Sequence, residues 1–326
     1  MSARQKMKSV YLLIIAHPDD ESMFFLPTLY NLLQIDYCEV HILCLSNGNY
    51  AKLGKLREAE LLAAARIISE AGRARGKGDT TRSGLQVKII ENDGLLDGPN
   101  KWTSESVSCF VQEYISSLSR LCDIKLAKST KLNDDVVITT TDITIITFDQ
   151  GGVSGHCNHV DTFKGVMDYF NALKVKGGKV PSCERKVKEL WMLKSIYNPV
   201  AKYIPVVDIL LILWIWIFRH VRLLCYSRRV PFESKDPNRI SRMFGTEMIG
   251  IATETTHNLS FRVFHPRLIR RAMSAHQSQF VWYRKLFILF SRYSYVNDII
   301  VHRVAEGYTH KSEGKMTSTC ADKKFL

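Results

Sequence analysis

The sequence predicts a three-layer α/β fold, a Rossmann-like and mostly parallel sheet with helices on both faces. Short apolar runs at 10–16, 40–45, 85–90 and 143–148 alternate with helix-like segments near 22–34, 55–71, 105–122 and 160–175. That alternation builds parallel strands joined by crossover helices. Two of the runs end in clusters of histidine and aspartate, and sites in such folds lie beyond the carboxyl ends of the strands. The two clusters must meet to act together, so a single domain over 1–305 is expected.

The first run, Val10 to Ala16, reads as a buried strand and leads into His17-Pro18-Asp19-Asp20-Glu21. A divalent cation of borderline hardness needs imidazole nitrogen and carboxylate oxygen close together on a rigid support. A lone His or Asp at a strand end is ordinarily solvated or caps a turn, so this cluster alone decides nothing. The next run ends in the turn Ser46-Asn47-Gly48-Asn49-Tyr50, and the helix after it carries Arg57 and Glu60 at a spacing that allows an ion pair. The chain from 123 to 141 is lysine-rich and then threonine-rich, and is expected as a surface loop or insertion.

The fourth run closes on Asp149 and is followed by Gln-Gly-Gly-Val-Ser-Gly-His156-Cys157-Asn-His159. Glycines permit turns closed to other residues, and histidines at i and i+3 share a direction if a helix begins there. Two clusters of complementary ligand chemistry outweigh the bland reading of either. Cys157 lies between the histidines, but a site that keeps an open position has its ligands without the thiolate.

Two later segments are amphipathic or apolar. Residues 203–226 hold the run Ile204 to Phe218, interrupted by Pro205 and Asp208 and flanked by Arg219, Arg222, Arg228 and Arg229. A membrane crossing takes about 20 apolar residues, and an Asp at its centre costs about 2.5–3.5 kcal/mol. The run is therefore expected to associate with a membrane by dipping into one leaflet, with its tryptophans and basic flank at the interface. The stretch 266–295 interleaves arginines with Phe280, Trp282, Phe287 and Phe290, and reads either as a packed helix with a basic face or as a second membrane contact. Residues 306–326 are polar and are expected to be disordered.

With 326 residues, 46% hydrophobic and 24% charged, the chain has material for a sizeable core. Its net charge of +13 and pI near 9.3 call for an anionic partner. Nucleic acid is disfavoured, because the positive charge is spread along the chain and no zinc-finger spacing occurs. Eight cysteines without a Cys-x-x-Cys pair suit a reducing compartment. No secretory signal is expected, since the N-terminal apolar run leads straight into His17, which cleavage would damage.

The segments Ala16 to Thr28, Ser46 to Tyr50, Arg57 with Glu60, Thr147 to His159 and Ala275-His276-Gln-Ser-Gln279 occur in that order. Together they resemble the N-acetylglucosaminyl-phosphatidylinositol de-N-acetylases, the PIG-L family within the LmbE-like zinc deacetylase superfamily. The resemblance implies His17, Asp20 and His159 as metal ligands, with zinc the expected ion and other divalent metals possible. It implies Asp19 as the general base, and His156 as the group that stabilises the oxyanion and protonates the amine. Asp149 is expected behind these ligands as an orienting partner.

The family pattern also turns Arg57 toward the substrate, where a guanidinium suits its phosphate. Asn49 and Asp93 follow predicted strands and are candidates for sugar hydroxyls, while His276 is expected as a buried, hydrogen-bonded histidine. Bacterial relatives place a tyrosine where this chain has Ser154, which shifts work to His156 and the metal. The implied partners are the glycolipid substrate and a membrane surface, on the cytosolic side of the endoplasmic reticulum. Segment 203–226 is expected to stand in for the N-terminal anchor of many eukaryotic members. Two alternatives remain: deacetylation of another N-acetylglucosaminide, and a non-catalytic phosphoinositide-binding protein.

Overall fold

The apolar run at Val10 becomes strand β1 (Lys6–Ile15), and from Val10 onward nearly every side chain on it is buried, so it takes a central place in a sheet. A computed structural model describes residues 6–35, 38–73, 84–129, 138–176, 186–204, 208, 210, 214, 217 and 258–304. After β1 come α1 (Asp20–Met23), α2 (Leu26–Leu32), β2 (Cys38–Cys44), α3 (Gly54–Arg73), β3 (Gln86–Ile89), α4 (Ser104–Ser129) and β4 (Ile138–Phe148). Then follow α5 (Gly152–Gly155), α6 (Cys157–Lys176), β5 (Val187–Leu193), α7 (Pro199–Tyr203), β6 (Asn258–Arg262), α8 (Pro266–Ala275), α9 (Trp282–Phe290) and β7 (Val296–Arg303).

The strands form one mixed sheet in the order β3-β2-β1-β4-β5-β7-β6. The pairings from β3 across to β5 are parallel, and those of β7 with β5 and β6 are antiparallel. Helices pack in two groups, α2, α3 and α8 in one and α4 with α6 in the other. From β1 the chain first winds outward through β2 and β3, then returns to lay β4 on the other side of β1. The crevice between the ends of β1 and β4 is thus the point where the order reverses, the position at which open α/β sheets bind ligands.

Several expectations need correction. The expected loop at 123–141 is mostly regular structure: α4 runs to Ser129 and β4 starts at Ile138, and 130–137 lie outside the described residues. The helix expected over 22–34 is two, because the chain turns at Phe24 and Phe25 and restarts with Pro27 in the first turn of α2, where a missing N–H costs nothing. The stretch 266–295 is likewise split into α8 and α9. Strands β5, β6 and β7 were not anticipated, since β6 and β7 mix polar with apolar residues on a partly covered edge. Of segment 203–226 only Tyr203, Ile204, Asp208, Leu210, Trp214 and Ile217 are described, and the tail 306–326 lies outside the described residues. No helix among the described residues is long and apolar enough to cross a membrane.

The turn between α1 and α2 is fastened to β7 by one buried side chain. Asn297 accepts from the Thr28 amide (3.1 Å) and hydroxyl (2.8 Å), and donates to the carbonyls of Phe24 (2.8 Å) and Tyr293 (3.3 Å). Replacing Asn297 by Ala orphans these buried groups at about 1–3 kcal/mol each. A loss of at least about 3 kcal/mol is expected in urea denaturation.

Candidate active site

Two strand ends build the site. Beyond β1, Asp19 adopts φ 122°, ψ −21°, a backbone conformation that side-chain-bearing residues rarely take and that costs about 1–3 kcal/mol. Its surroundings impose it. The Asp19 amide donates to Glu21 Oε2 (3.1 Å), the Pro18 carbonyl accepts from Arg57 Nη2 (2.8 Å), and Asp20 Oδ2 accepts from the amides of Ala16 (3.2 Å) and His17 (2.9 Å). Glu21 is itself held by His276, whose Nε2 lies 2.6 Å from Glu21 Oε1, so His276 is the buried, hydrogen-bonded histidine that was expected.

Beyond β4, Asp149 Oδ1 accepts from the Gly151 amide (3.0 Å) and from the Ser195 hydroxyl, and Oδ2 accepts from the Ser195 amide (2.6 Å). The turn then passes through Gly152 (φ 57°) and Val153 (φ 61°). A Cβ on Gly152 would stand 2.9 Å from His159 Cβ, so this glycine lets the turn lie against the imidazole. Val153 is held in place by its amide, which donates to Ser195 Oγ at 2.9 Å. His156 sits just before α6 and its Nδ1 accepts from the Asn158 amide (3.3 Å), while His159 stacks on Phe148 at 4.2 Å and 8°. Asp149 therefore does not orient either histidine as expected; it pins the turn to the segment after β5. The partner of His159 Nδ1 is instead the Gly152 carbonyl at 3.0 Å, with Ser154 Oγ at 3.3 Å.

These turns bring together all five residues on which the sequence reading centred. Ring nitrogens of His17, His156 and His159 lie within 4.8 Å of one another. Asp20 Oδ1 is 3.1 Å from His159 Nε2, and Asp20 Oδ2 is 3.9 Å from His17 Nδ1. With its Nδ1–H directed at Gly152, His159 presents a lone pair at Nε2 to a carboxylate oxygen, and two lone pairs at that separation require a proton or a cation between them. His17 Nε2 faces Asp97 Oδ1 (3.0 Å) and Asn158 Oδ1 (3.1 Å), which assigns its hydrogen to Nε2 and leaves Nδ1 as the ligand atom. Two imidazoles with opposed acceptors and an anionic oxygen make a donor set that fits a divalent metal.

Charge balance follows from burial. Burial alone would raise the Asp20 carboxyl, but His159 and His17 hold it well below the usual range. Asp97 is likewise kept down at about 2, where hydrogen bonding to His17 and the charge of Arg57 outweigh its partial burial. Burial raises the Asp19 carboxyl, against the pull of Arg284. Burial and the neighbouring imidazoles lower His156.

The other expected residues fall into place differently. Arg57 is only 7% exposed, and its guanidinium donates to the carbonyls of Gly48 (3.0 Å) and Pro18 (2.8 Å) and to Asp97 Oδ2 (3.0 Å). These partners make it a brace for the β1 turn rather than the phosphate ligand expected. Glu60 does not pair with it, and instead accepts from the amide and hydroxyl of Ser278 at 2.7 and 2.6 Å. Asn49 caps α3 by accepting from the Gly54 amide (3.0 Å). Asn49 and Asp93 are not brought to the histidines; they line a neighbouring cavity of about 250 Å³ that shares Tyr50 and Asp97 with the main one. Cys157 Sγ lies 3.4 Å from the Gly98 carbonyl, outside the imidazole cluster.

Four residues escaped the sequence reading. Asp97 was missed for Asp93 four positions earlier, a choice that composition alone does not make. Asn158 lay inside a recognised motif without an assigned role. Arg284, which pairs with Asp19, sat in a segment read only for amphipathicity, and Lys202 lay just ahead of the apolar segment 203–226. All but Asn158 line the main cavity, of about 820 Å³, whose inner end holds the histidines and aspartates. Its outer walls are apolar, from Met23 and Phe24 and from Tyr203, Leu286, Phe287 and Phe290 on α7 and α9.

A family model described as GlcNAc-PI de-N-acetylase matches residues 12–170. The chain is 27% identical over 289 residues to N-acetylglucosaminyl-phosphatidylinositol de-N-acetylase of Bos taurus, spanning 88% of this chain and 81% of that one. To the Saccharomyces cerevisiae protein of the same description it is 30% identical over 297 residues, spanning 89% and 80%. Among solved structures, N,N'-diacetylchitobiose deacetylase from Pyrococcus horikoshii aligns with TM-score 0.44 and 10% identity, over 90% of this chain and 83% of that one.

The Glu21–His276 pair supports the β1 turn from below. Burial alone would lower His276, but the Glu21 charge and hydrogen bond raise it above the ordinary value. A raised folded value stabilises fully below the unfolded value of about 6.5 and is lost as pH climbs through the folded one. His276→Leu strands a buried carboxylate, at a cost of about 3 kcal/mol or more. In urea denaturation the gap between wild type and variant is expected to be widest at pH 6 and to narrow toward pH 9.

Proposed function

The chain belongs to the N-acetylglucosaminyl-phosphatidylinositol de-N-acetylase family, and on that premise we propose that it hydrolyses the acetamide of N-acetylglucosaminyl-phosphatidylinositol. The products are glucosaminyl-phosphatidylinositol and acetate, an early step of glycolipid-anchor biosynthesis. One observation carries the reading: His17 and Asp20 from one strand end meet His156 and His159 from another, at the polar end of a cavity with apolar outer walls.

An amide is a poor electrophile with a poor leaving group, so its hydrolysis needs an activated water, an oxyanion partner and a proton for nitrogen. His17, Asp20 and His159 would hold the metal, zinc by its match to two imidazoles and one carboxylate. His156 is reserved for the substrate because it is the partly exposed member of the imidazole trio. A bound divalent cation would acidify a water and polarise the acetamide carbonyl.

Asp19, next in the chain to Asp20 and raised by burial, accepts the proton of the attacking water. The water oxygen bonds to the carbonyl carbon, and His156 faces the developing oxyanion. As the C–N bond breaks, the departing nitrogen takes a proton returned from these groups, leaving a free amine and acetate. Asp97 and Asn158 fix the ring of His17, and Arg57 fixes the turn that carries Asp19.

The same reading puts the enzyme at the endoplasmic reticulum membrane with its site toward the cytosol. Exposed apolar side chains support a membrane contact beside the cavity mouth: Val200 and Ile204 near α7, and Trp282, Leu289 and Phe290 on α9. Cys44, Cys109 and Cys157 carry free thiols, which suits a reducing compartment.

Chelator-stripped protein is expected to release no acetate and to recover on adding back zinc. Asp19→Asn is expected to keep its metal by elemental analysis while kcat falls about 100- to 10,000-fold. Full turnover without metal refutes this reading. For the membrane contact, the double change Trp282→Glu with Leu289→Glu is expected to weaken binding to anionic vesicles at least about tenfold. Sedimentation with vesicles checks it, and unchanged binding excludes α9 as the contact.

A further inference from the structure

We propose that Lys202 and Arg284 form the subsite for the phosphodiester of the substrate; this rests on the glycolipid reading above. Such a substrate has a fixed order of parts, with an acetylated sugar at one end, acyl chains at the other, and an ionised phosphate between them. A cavity that takes it with the acetamide at the histidines and the chains at the apolar wall needs a cation partway along. Arg57, the residue that the sequence offered, is committed to two carbonyls and Asp97. Among the described residues that line the cavity, the remaining cations are Lys202 and Arg284.

Both stand at the boundary of polar and apolar walls. Lys202 precedes Tyr203, and Arg284 lies one helical turn before Phe287. Tyr203 and Phe287 touch edge to face at 6.3 Å, and Phe287 meets Phe24 at 5.6 Å, which in turn meets His159 at 5.8 Å. The Lys202 ammonium donates to the Val153 carbonyl (2.9 Å) and lies 5.6 and 5.8 Å from the ring centres of Tyr203 and Tyr293. No carboxylate pairs with it among the described residues, although burial works against its charge. A half-buried ammonium with a carbonyl but no counterion beside it is poised for an anion.

Arg284 does have a counterion, Asp19, but one that the reaction requires. A phosphodiester is ionised throughout the working pH range and takes a guanidinium through two parallel hydrogen bonds. Its arrival offers Arg284 a second anion beside Asp19, within the same cavity.

The test uses the full chain with its metal, acting on N-acetylglucosaminyl-phosphatidylinositol in mixed micelles. Lys202→Met and Arg284→Gln are each expected to raise KM at least about tenfold, the worth of one charge-assisted hydrogen bond. Lys202→Met should keep kcat within about threefold, and Lys202→Arg should restore KM, the pattern of lost ground-state binding. Glycerophosphoinositol, which carries the phosphodiester without acyl chains, should inhibit wild type competitively and inhibit Lys202→Met at least about tenfold less. An unchanged KM in Lys202→Met, or a fall in kcat in its place, overturns the subsite while the deacetylase reading stands. Wild-type protein that releases no acetate overturns that reading first.

Discussion

The turn after β1 holds an aspartate at φ 122°, and everything at this site depends on the interactions that keep it there. Freed of them, Asp19 would relax toward an ordinary backbone conformation and swing its carboxylate away from its neighbours. Three contacts prevent this: Arg57 on the Pro18 carbonyl, Asp20 on the amides of Ala16 and His17, and Glu21 on the Asp19 amide. Each comes from a residue that is itself buried and partnered. Strain of about 1–3 kcal/mol is maintained because no single contact can give way without leaving another buried polar group unsatisfied.

The opposite wall repeats this logic with different chemistry. Val153 also has positive φ, and the Asp149–Ser195 bonds hold its turn against the segment leaving β5. Two adjacent parallel strands thus end in two rigid, unfavourable turns, and the histidines and aspartates they carry meet without having to fold onto one another. Such preorganisation costs stability at the site and offsets it in the core, where β1 from Val10, β2 throughout and β4 from Ile143 are mostly buried. The carboxylates can sit so close together because imidazoles and guanidinium groups alternate with them.

Polarity changes sharply along the cavity. One end is a charge network of imidazoles, carboxylates and guanidinium groups, and beside it the aromatic rings of Phe24, just after α1, and of α7 and α9 take over. Exposed apolar residues of α7 and α9 continue that wall onto the surface. The same helix, α9, presents Trp282 and Leu289 to the outside and Arg284 to Asp19, which couples the surface to the reaction centre through a single element.

Much of this could be read from the chain. The apolar runs located β1 to β4, the central β1, β2 and β4 because strands covered on both faces are largely apolar, and the edge strand β3 by its alternation of polar and apolar residues; the His and Asp motifs named the five residues that converge. What tertiary structure decided is whom each polar side chain faces. Arg57 was legible as important but not as a brace, and Asp149 as near the histidines but not as the pin of their turn. Asp97 and Asp93 are the same residue type after the same strand, and only the path of the chain puts one on His17. Strands β6 and β7, partly polar and joined to the sheet from far along the sequence, carried no local signal. Local periodicity follows from burial, which a segment reports about itself, whereas partner choice depends on groups 40 to 273 residues away, and a linear sequence does not record those distances.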